Sequence, residues 1–183
     1  MIACLSEPMA GDGVSALPFD ETLRAALKAA CAEDDRIWQI YSLDFGPDGF
    51  DASIDRFVRN PLNRVFVLFE GRDLAGMSSF LGIDESRQVL EIGGTYYRPH
   101  LRGTGFNFRA KDMMLRRAFE CGIRRAEFRV DVRNARSQAA LARLGAVREG
   151  VIRADRITWT GHVRDTAIYS ILQEEWPPAR NLG

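Results

Sequence analysis

Tyr97-Arg98-Pro99-His100-Leu101-Arg102-Gly103-Thr104-Gly105-Phe106-Asn107 decides how the rest of the chain is read. Before it, Gln88 to Tyr97 has the β-branched and aromatic content of a strand. After it, Phe106, Ala110, Met113, Met114 and Ala118 recur at helical spacing as far as Cys121, and Gly122 supplies the stop. The stretch therefore reads as a strand end, a glycine-bearing turn and the first turn of a helix. Such a turn presents several backbone N–H groups at the positive end of a helix dipole, and its glycines let a ligand approach the main chain. The ligand that suits it is a phosphate or pyrophosphate, with Arg102 available for a charge-assisted contact. Two nucleotide signatures do not fit. There is no Gly-x-x-x-x-Gly-Lys-Ser/Thr run, and Gly103-Thr104-Gly105 is followed by Phe106, Asn107 and Phe108 rather than by the third glycine of a dinucleotide fingerprint.

Upstream, the strand Gln88 to Tyr97 carries Gly93-Gly94 at its centre, where glycine marks a bulge or the close approach of a ligand. Arg64 to Glu70 and Leu74 to Gly82 read as a hairpin around Gly71-Arg72-Asp73, and Gly13 to Leu17 as a first strand. Phe19 to Ala32 and Asp51 to Asn60 read as helices, the first capped by Asp20 and the second stopped by Pro61. Downstream, Ala126, Phe128, Val130 and Val132 alternate with Glu127, Arg129, Asp131 and Arg133, the pattern of a half-buried strand. Asn134 stands at a helix N-cap, Gly145 closes that helix, and strands follow at Val147 to Ile152 and Asp165 to Leu172 before Pro177-Pro178. The expectation is one mixed α/β domain over residues 1–183, without repeats or linker.

Composition narrows the function classes. The 183 residues hold 25 basic and 25 acidic side chains, with 46% apolar content, which excludes a disordered chain. The balance conceals a split. From Arg98 to Arg164, 15 Arg and Lys111 face six acids, a surplus of ten positive charges, and the remainder carries the matching negative surplus. A basic segment calls for an anionic partner, and an acidic first third would suit a cationic acceptor. No apolar run is long enough for a membrane helix, and Met1 to Ala10 lacks the basic start of a secretory signal. Cys4, Cys31 and Cys121 form no Cys-x-x-Cys pair, which fits reduced thiols and a cytoplasmic location. With only His100 and His162, no metal site is expected. A nucleic-acid-binding module would need aromatic residues beside its Arg, but Phe128 falls on the opposite face from Arg129, so nucleic acid is not the expected partner.

The order of elements and the segment His100-Leu101-Arg102-Gly103-Thr104-Gly105 resemble the GNAT superfamily of acyl-CoA N-acyltransferases, whose hallmark is Gln/Arg-x-x-Gly-x-Gly/Ala; His100 departs from it. Asn134-Ala135-Arg136-Ser137, Leu144-Gly145-Ala146, Arg148-Glu149-Gly150 and Glu175-Trp176 follow in the order of the branch that contains the ribosomal-protein N-terminal acetyltransferases, with Ala146 where Phe is usual. The match covers roughly Glu70 to Trp176.

The resemblance implies a mostly antiparallel sheet of about seven strands, splayed between the fourth and fifth, with about four helices. It implies acetyl-CoA as co-substrate, an acceptor that is a protein N-terminal α-amine or a small-molecule amine, and direct attack of that amine on the thioester. Thr95, Tyr96 and Tyr97 would offer backbone groups to pantetheine. Arg102, Gly103, Thr104, Gly105, Phe106 and Asn107 would hold the pyrophosphate, with Asn134 and Ser137 also at the cofactor. Ser137 is the candidate for assisting the departing thiolate and Glu91 for taking the amine proton, with Asp155 and His162 as other possibilities for that base. Trp38 and Tyr41 are the candidates for the acceptor pocket. A silent acyl-CoA sensor is the alternative, and a homodimer is compatible with the pattern.

Overall fold

A computed structural model describes residues 3–177, so Pro178, expected to help end the fold, lies outside the described residues. Its centre is an eight-stranded sheet: β1 (Met9–Gly11), β2 (Val14–Pro18), β3 (Arg64–Glu70), β4 (Asp73–Asp84), β5 (Val89–Tyr97), β6 (Arg125–Asp131), β7 (Val147–Ile157) and β8 (Val163–Leu172). The order across the sheet is β1-β2-β3-β4-β5-β6-β8-β7. All neighbours are antiparallel except β5 and β6. Four helices pack on it: α1 (Arg24–Cys31), α2 (Phe50–Arg59), α3 (Phe106–Glu120) and α4 (Ala135–Leu144).

Most of this follows the expected pattern, and the differences have local causes. The eighth strand is β1, three residues pairing Met9 with Ala16, too short to show a periodicity. The first helix begins as a 3₁₀ turn over Glu21–Leu23, with the Asp20 carboxylate accepting from the Thr22 N–H, before α1 starts at Arg24. Beyond Ile152, β7 continues to Ile157 through a bulge where Ala154 takes φ +50° and donates its N–H to the Asp165 side chain. The run Arg153-Ala154-Asp155-Arg156 shows no alternation because the bulge breaks it.

Two apolar clusters sandwich the sheet. One joins Leu90, Ile92, Phe128, Val130, Ala167, Tyr169 and Ile171 to the inner faces of α3 and α4. The other packs Val65, Val67, Met77 and Tyr96 against Leu27 of α1, Ile54 of α2 and the wholly buried Trp38.

The cysteine expectation is corrected. Cys4 and Cys121 form a disulfide, with Cα atoms 5.8 Å apart, tying the start of the chain to the end of α3. Sequence separation of 117 residues hid the pair, because spacing says nothing of contact across a fold. Cys31 is the free thiol among the described residues. Its burial pushes the thiol pKa up to about 12, which keeps it unreactive.

Candidate active site

The site begins where β5 and β6 part. They pair in parallel only over Val89, Leu90 and Glu91 with Arg125, Ala126 and Glu127, and no pairing continues past Glu91. Just beyond, the register between β4 and β5 shifts: Ser79 faces Gly93 and Met77 faces Tyr96, so two residues of β5 oppose one of β4. Gly94 sits in this bulge at φ +57°, and a Cβ there would lie 2.5 Å from the Phe57 ring. Glycine is needed both for the dihedral and for the space. The bulge inverts the alternation of β5. Leu90 and Ile92 face α3, yet after the bulge Tyr96 joins the cluster on the α1 side.

The parted strands open a cavity of about 1160 Å³. At one mouth lies the turn before α3. Gly103 and Gly105 take φ +83° and +85°, and a Cβ on either would meet nothing within 4 Å. The N–H groups of Gly103, Gly105 and Asn107 make no hydrogen bond within the described residues, and all three residues line the cavity. Donors left open at a helix N-terminus fit a pyrophosphate. A further orphan is the Tyr97 hydroxyl, buried at the cavity without a partner, its pKa raised by that burial.

Glu91 lines the middle of the cavity, with its side chain 22% exposed and an oxygen 3.9 Å from Arg129 Nε. Burial raises its pKa, and Arg129 only partly opposes this. Asn134 caps α4 by accepting from the Ser137 N–H at 3.0 Å, and both residues line the cavity. Tyr41 also lines it and donates its hydroxyl to the Thr95 carbonyl at 2.5 Å; burial pushes that hydroxyl up to about 12. Of the other possible bases, Asp155 lines the cavity but is held by Arg156 at 2.8 Å and by the Thr166 hydroxyl. His162 lies in the β7–β8 turn, outside the cavity lining.

Other expected site residues point elsewhere. Trp38 is 0% exposed and does not line the cavity; it packs on Tyr96, Tyr41 and Phe45 as core, correcting its assignment to the acceptor pocket. Its carbonyl instead accepts from Trp159 Nε1 at 2.8 Å, so the tip of the β7–β8 hairpin is fastened over this loop. The Tyr96 side chain is core and donates to the Ala30 carbonyl. Phe106 is likewise core, edge-on to Tyr97. The Thr104 hydroxyl bonds the Leu101 carbonyl. Arg102 lines the cavity but is ion-paired with Asp34 at 2.5 Å.

Three functional candidates were missed by the sequence reading. Lys111, on α3, is 6% exposed; its Nζ donates to Thr95 Oγ1 at 2.8 Å and lies 5.5 Å from the centroid of the Phe128 ring. Burial brings its pKa down to about 7, with Glu91 opposing. A lone Lys in an Arg-rich segment was the available signal. Tyr97 was read for its backbone alone. Arg164 was one Arg among many, and its burial has no mark in the sequence. The first third lines the cavity with Tyr41, Ser42 and Arg56, among others, but not with its acids. No Asp or Glu before Glu91 lines it. Glu33 and Asp34 are taken by Arg98 and Arg102, and Asp51 and Asp55 by Lys28, Arg24 and Arg59. The expectation of a cationic acceptor loses its basis there.

The acetyltransferase (GNAT) family model matches residues 34–146, most of the chain. The protein belongs to the GNAT acetyltransferase family. A solved structure of a probable acetyltransferase of the GNAT family from Chromobacterium violaceum is 30% identical, covers 93% of this chain and 88% of its own, and superposes with a TM-score of 0.86. A GCN5-related N-acetyltransferase from Brucella melitensis is 24% identical over 94% of this chain and 81% of its own, TM-score 0.85. A ribosomal-protein-S5-alanine acetyltransferase from Vibrio fischeri shares the fold at 17% identity over 93% and 99% of the two chains, TM-score 0.73. Among curated proteins none matches the sequence. This GNAT enzyme is thus an acyltransferase built on the splayed sheet, its strand count one above the expected seven. Among the described residues no helix is long and apolar enough to cross a membrane, and no cluster of His, Cys, Asp and Glu could hold a metal.

Proposed function

We propose that this enzyme transfers an acetyl group from acetyl-CoA to a primary amine by direct attack on the thioester. One observation carries the reading: open backbone donors at Gly103, Gly105 and Asn107 stand at one mouth of a cavity that also holds Glu91. Those donors would take the pyrophosphate, with Arg136, which lines the cavity, adding positive charge. The thioester supplies an activated acetyl group with a good leaving thiolate. The residues of this chain need only position the reactants and move protons.

Glu91 takes the proton of the incoming ammonium. A carboxyl raised by burial is a stronger base near neutrality than an ordinary one, and its only cationic neighbour within 4.0 Å among the described residues, Arg129, is at 3.9 Å. The Ser137 hydroxyl, in the first turn of α4, hydrogen-bonds the departing thiolate. Tyr41 fixes the Thr95 carbonyl, so the strand edge beside the bulge is held in one geometry. The direct test is release of free CoA thiol from acetyl-CoA against a panel of amines and N-terminal peptides. Turnover with at least one amine is expected. Thiol release that no amine stimulates would favour an acyl-CoA-binding protein without transferase activity.

A further inference from the structure

Charge pairing in the cavity is uneven, and the unevenness falls where the acceptor would lie. The acids that line it have cationic neighbours: Glu91 lies near Arg129, Asp131 pairs with Arg133 at 2.7 Å, and Asp155 pairs with Arg156 at 2.8 Å. Arg164 has no carboxylate within 4.0 Å among the described residues, although it is only 5% exposed. Its Nε donates to Thr166 Oγ1 at 2.9 Å, its Nη1 to Ser42 Oγ at 2.9 Å and its Nη2 to the Arg129 carbonyl at 3.1 Å. A guanidinium has five N–H groups, so two remain, one on each terminal nitrogen. All three partners are neutral oxygens, drawn from the loop after Trp38, from β6 and from β8. The guanidinium is therefore held in one orientation at the cavity wall, with its charge uncompensated by direct contact.

Asp131, Glu91 and Asp155 act on Arg164 only through space, and a buried cation that makes no direct ion pair keeps its remaining donors for an anion that arrives with the ligand. The Arg56 side chain, also in the cavity lining, makes no hydrogen bond or ion pair among the described residues, which adds positive charge to the same chamber. A polyamine would bring further positive charge here, and no acid from the first 90 residues lines the cavity to offset it.

We propose that the acceptor amine carries an oxyanion, carboxylate or phosphate, and that Arg164 binds it with Arg129 alongside. The proposal rests on the acetyltransferase reading of the cavity. It also sets a scale. Arg129 approaches Glu91 through its side chain and Arg164 through its carbonyl, so the amine and the anion would be met within the reach of one Arg side chain and its two contacts. The acceptor class is a small zwitterion of the amino-acid or amino-phosphate type.

The test compares matched amines that differ only in the anion: tryptamine with tryptophan, and ethanolamine with O-phosphoethanolamine, with spermidine as the cationic reference. Free thiol release gives kcat/KM for each. The anion-bearing member of at least one pair is expected to exceed its partner by about tenfold or more, the scale of a charge-assisted hydrogen bond. Which pair responds distinguishes carboxylate from phosphate. Arg164→Gln is expected to remove most of that preference while calorimetric affinity for acetyl-CoA stays unchanged, and Arg164→Lys to restore part of it. Because Arg164 also ties β8 to β6, Arg129→Gln is the second variant, at a more exposed position, and should lose the same preference. Equal or better turnover of the uncharged and cationic amines overturns the proposal, as does a loss in either variant that falls alike on both members of a pair. Acetyl-CoA binding with no turnover of any anion-bearing amine overturns it while the cofactor reading stands. Failure to bind acetyl-CoA overturns the enzyme reading itself.

Discussion

The two halves of the sheet are built differently. In β3 the run Val65, Phe66, Val67 and Leu68 is buried on both faces, between α3 on one side and α1 and α2 on the other. In β6 only Ala126, Phe128 and Val130 are core, while Glu127, Arg129 and Arg125 face a charged surface that continues through Thr166 and Arg164 of β8 to Asp155 of β7. β7 itself is largely exposed, Ile157 by 71%. The first half keeps its shape by apolar packing. The second keeps one face polar, and the cavity opens at the line where the two part. What the contrast teaches is a separation of tasks: one half fixes the position of β5 and the turn before α3, and the other supplies the charges that meet a substrate.

That contrast can be broken at several points. The largest effect is expected from Gly103→Glu, which sets a carboxylate among open backbone donors. Like charges in contact cost several kcal/mol, so acetyl-CoA affinity measured by calorimetry should fall by about a hundredfold or more. Next, Glu91→Gln should lower kcat by roughly 10²-fold or more with acetyl-CoA affinity nearly unchanged; an unaltered kcat would move the base elsewhere. Trp38→Ala, in the apolar half, should cost about 3–5 kcal/mol in denaturant unfolding. Ile157→Ala, on the exposed strand of the other half, should stay within about 0.5 kcal/mol. Comparable losses at the two positions would erase the distinction.

Smaller effects sharpen it. Lys111 has its pKa lowered from 10.5 to about 7 by burial, so between those values the unfolded chain binds more protons than the folded one. Stability should therefore rise as pH increases from about 7 toward 10, relative to Lys111→Met, by an amount of order a few kcal/mol. Parallel pH profiles of wild type and variant would show that Lys111 does not titrate in this window. Finally, alkylation of the unfolded, unreduced chain followed by mass measurement should label one thiol, Cys31; three labelled thiols would contradict the Cys4–Cys121 bridge.

Much of the fold was legible because each signal is local. The alternation in β6, the glycines before α3, Asn134 at the start of α4 and Gly93-Gly94 in β5 each report a backbone requirement that neighbours in sequence can show. What was not legible depends on contacts between distant segments. Trp38 reads as an acceptor-pocket candidate in the sequence because the contacts that make it core, with Tyr96 and Phe45, form only in the fold. The disulfide joins residues 117 apart. The charge split pointed to an acidic acceptor side, yet Glu33, Asp34, Asp51 and Asp55 are all engaged by Arg or Lys, so a count along the chain did not say which charges remain for a ligand. Lys111 and Arg164 gain their character from burial alone.

The central claim is a place: the gap beyond Glu91 between β5 and β6, entered past the turn at Gly103 to Asn107. Amide hydrogen exchange with and without acetyl-CoA tests it most directly. The account predicts slowed exchange at Thr95 and Tyr97 and at Gly103, Gly105 and Asn107, with β1 and β2 unchanged. Binding that slows exchange in β1 and β2 and leaves those five amides as they were would contradict it.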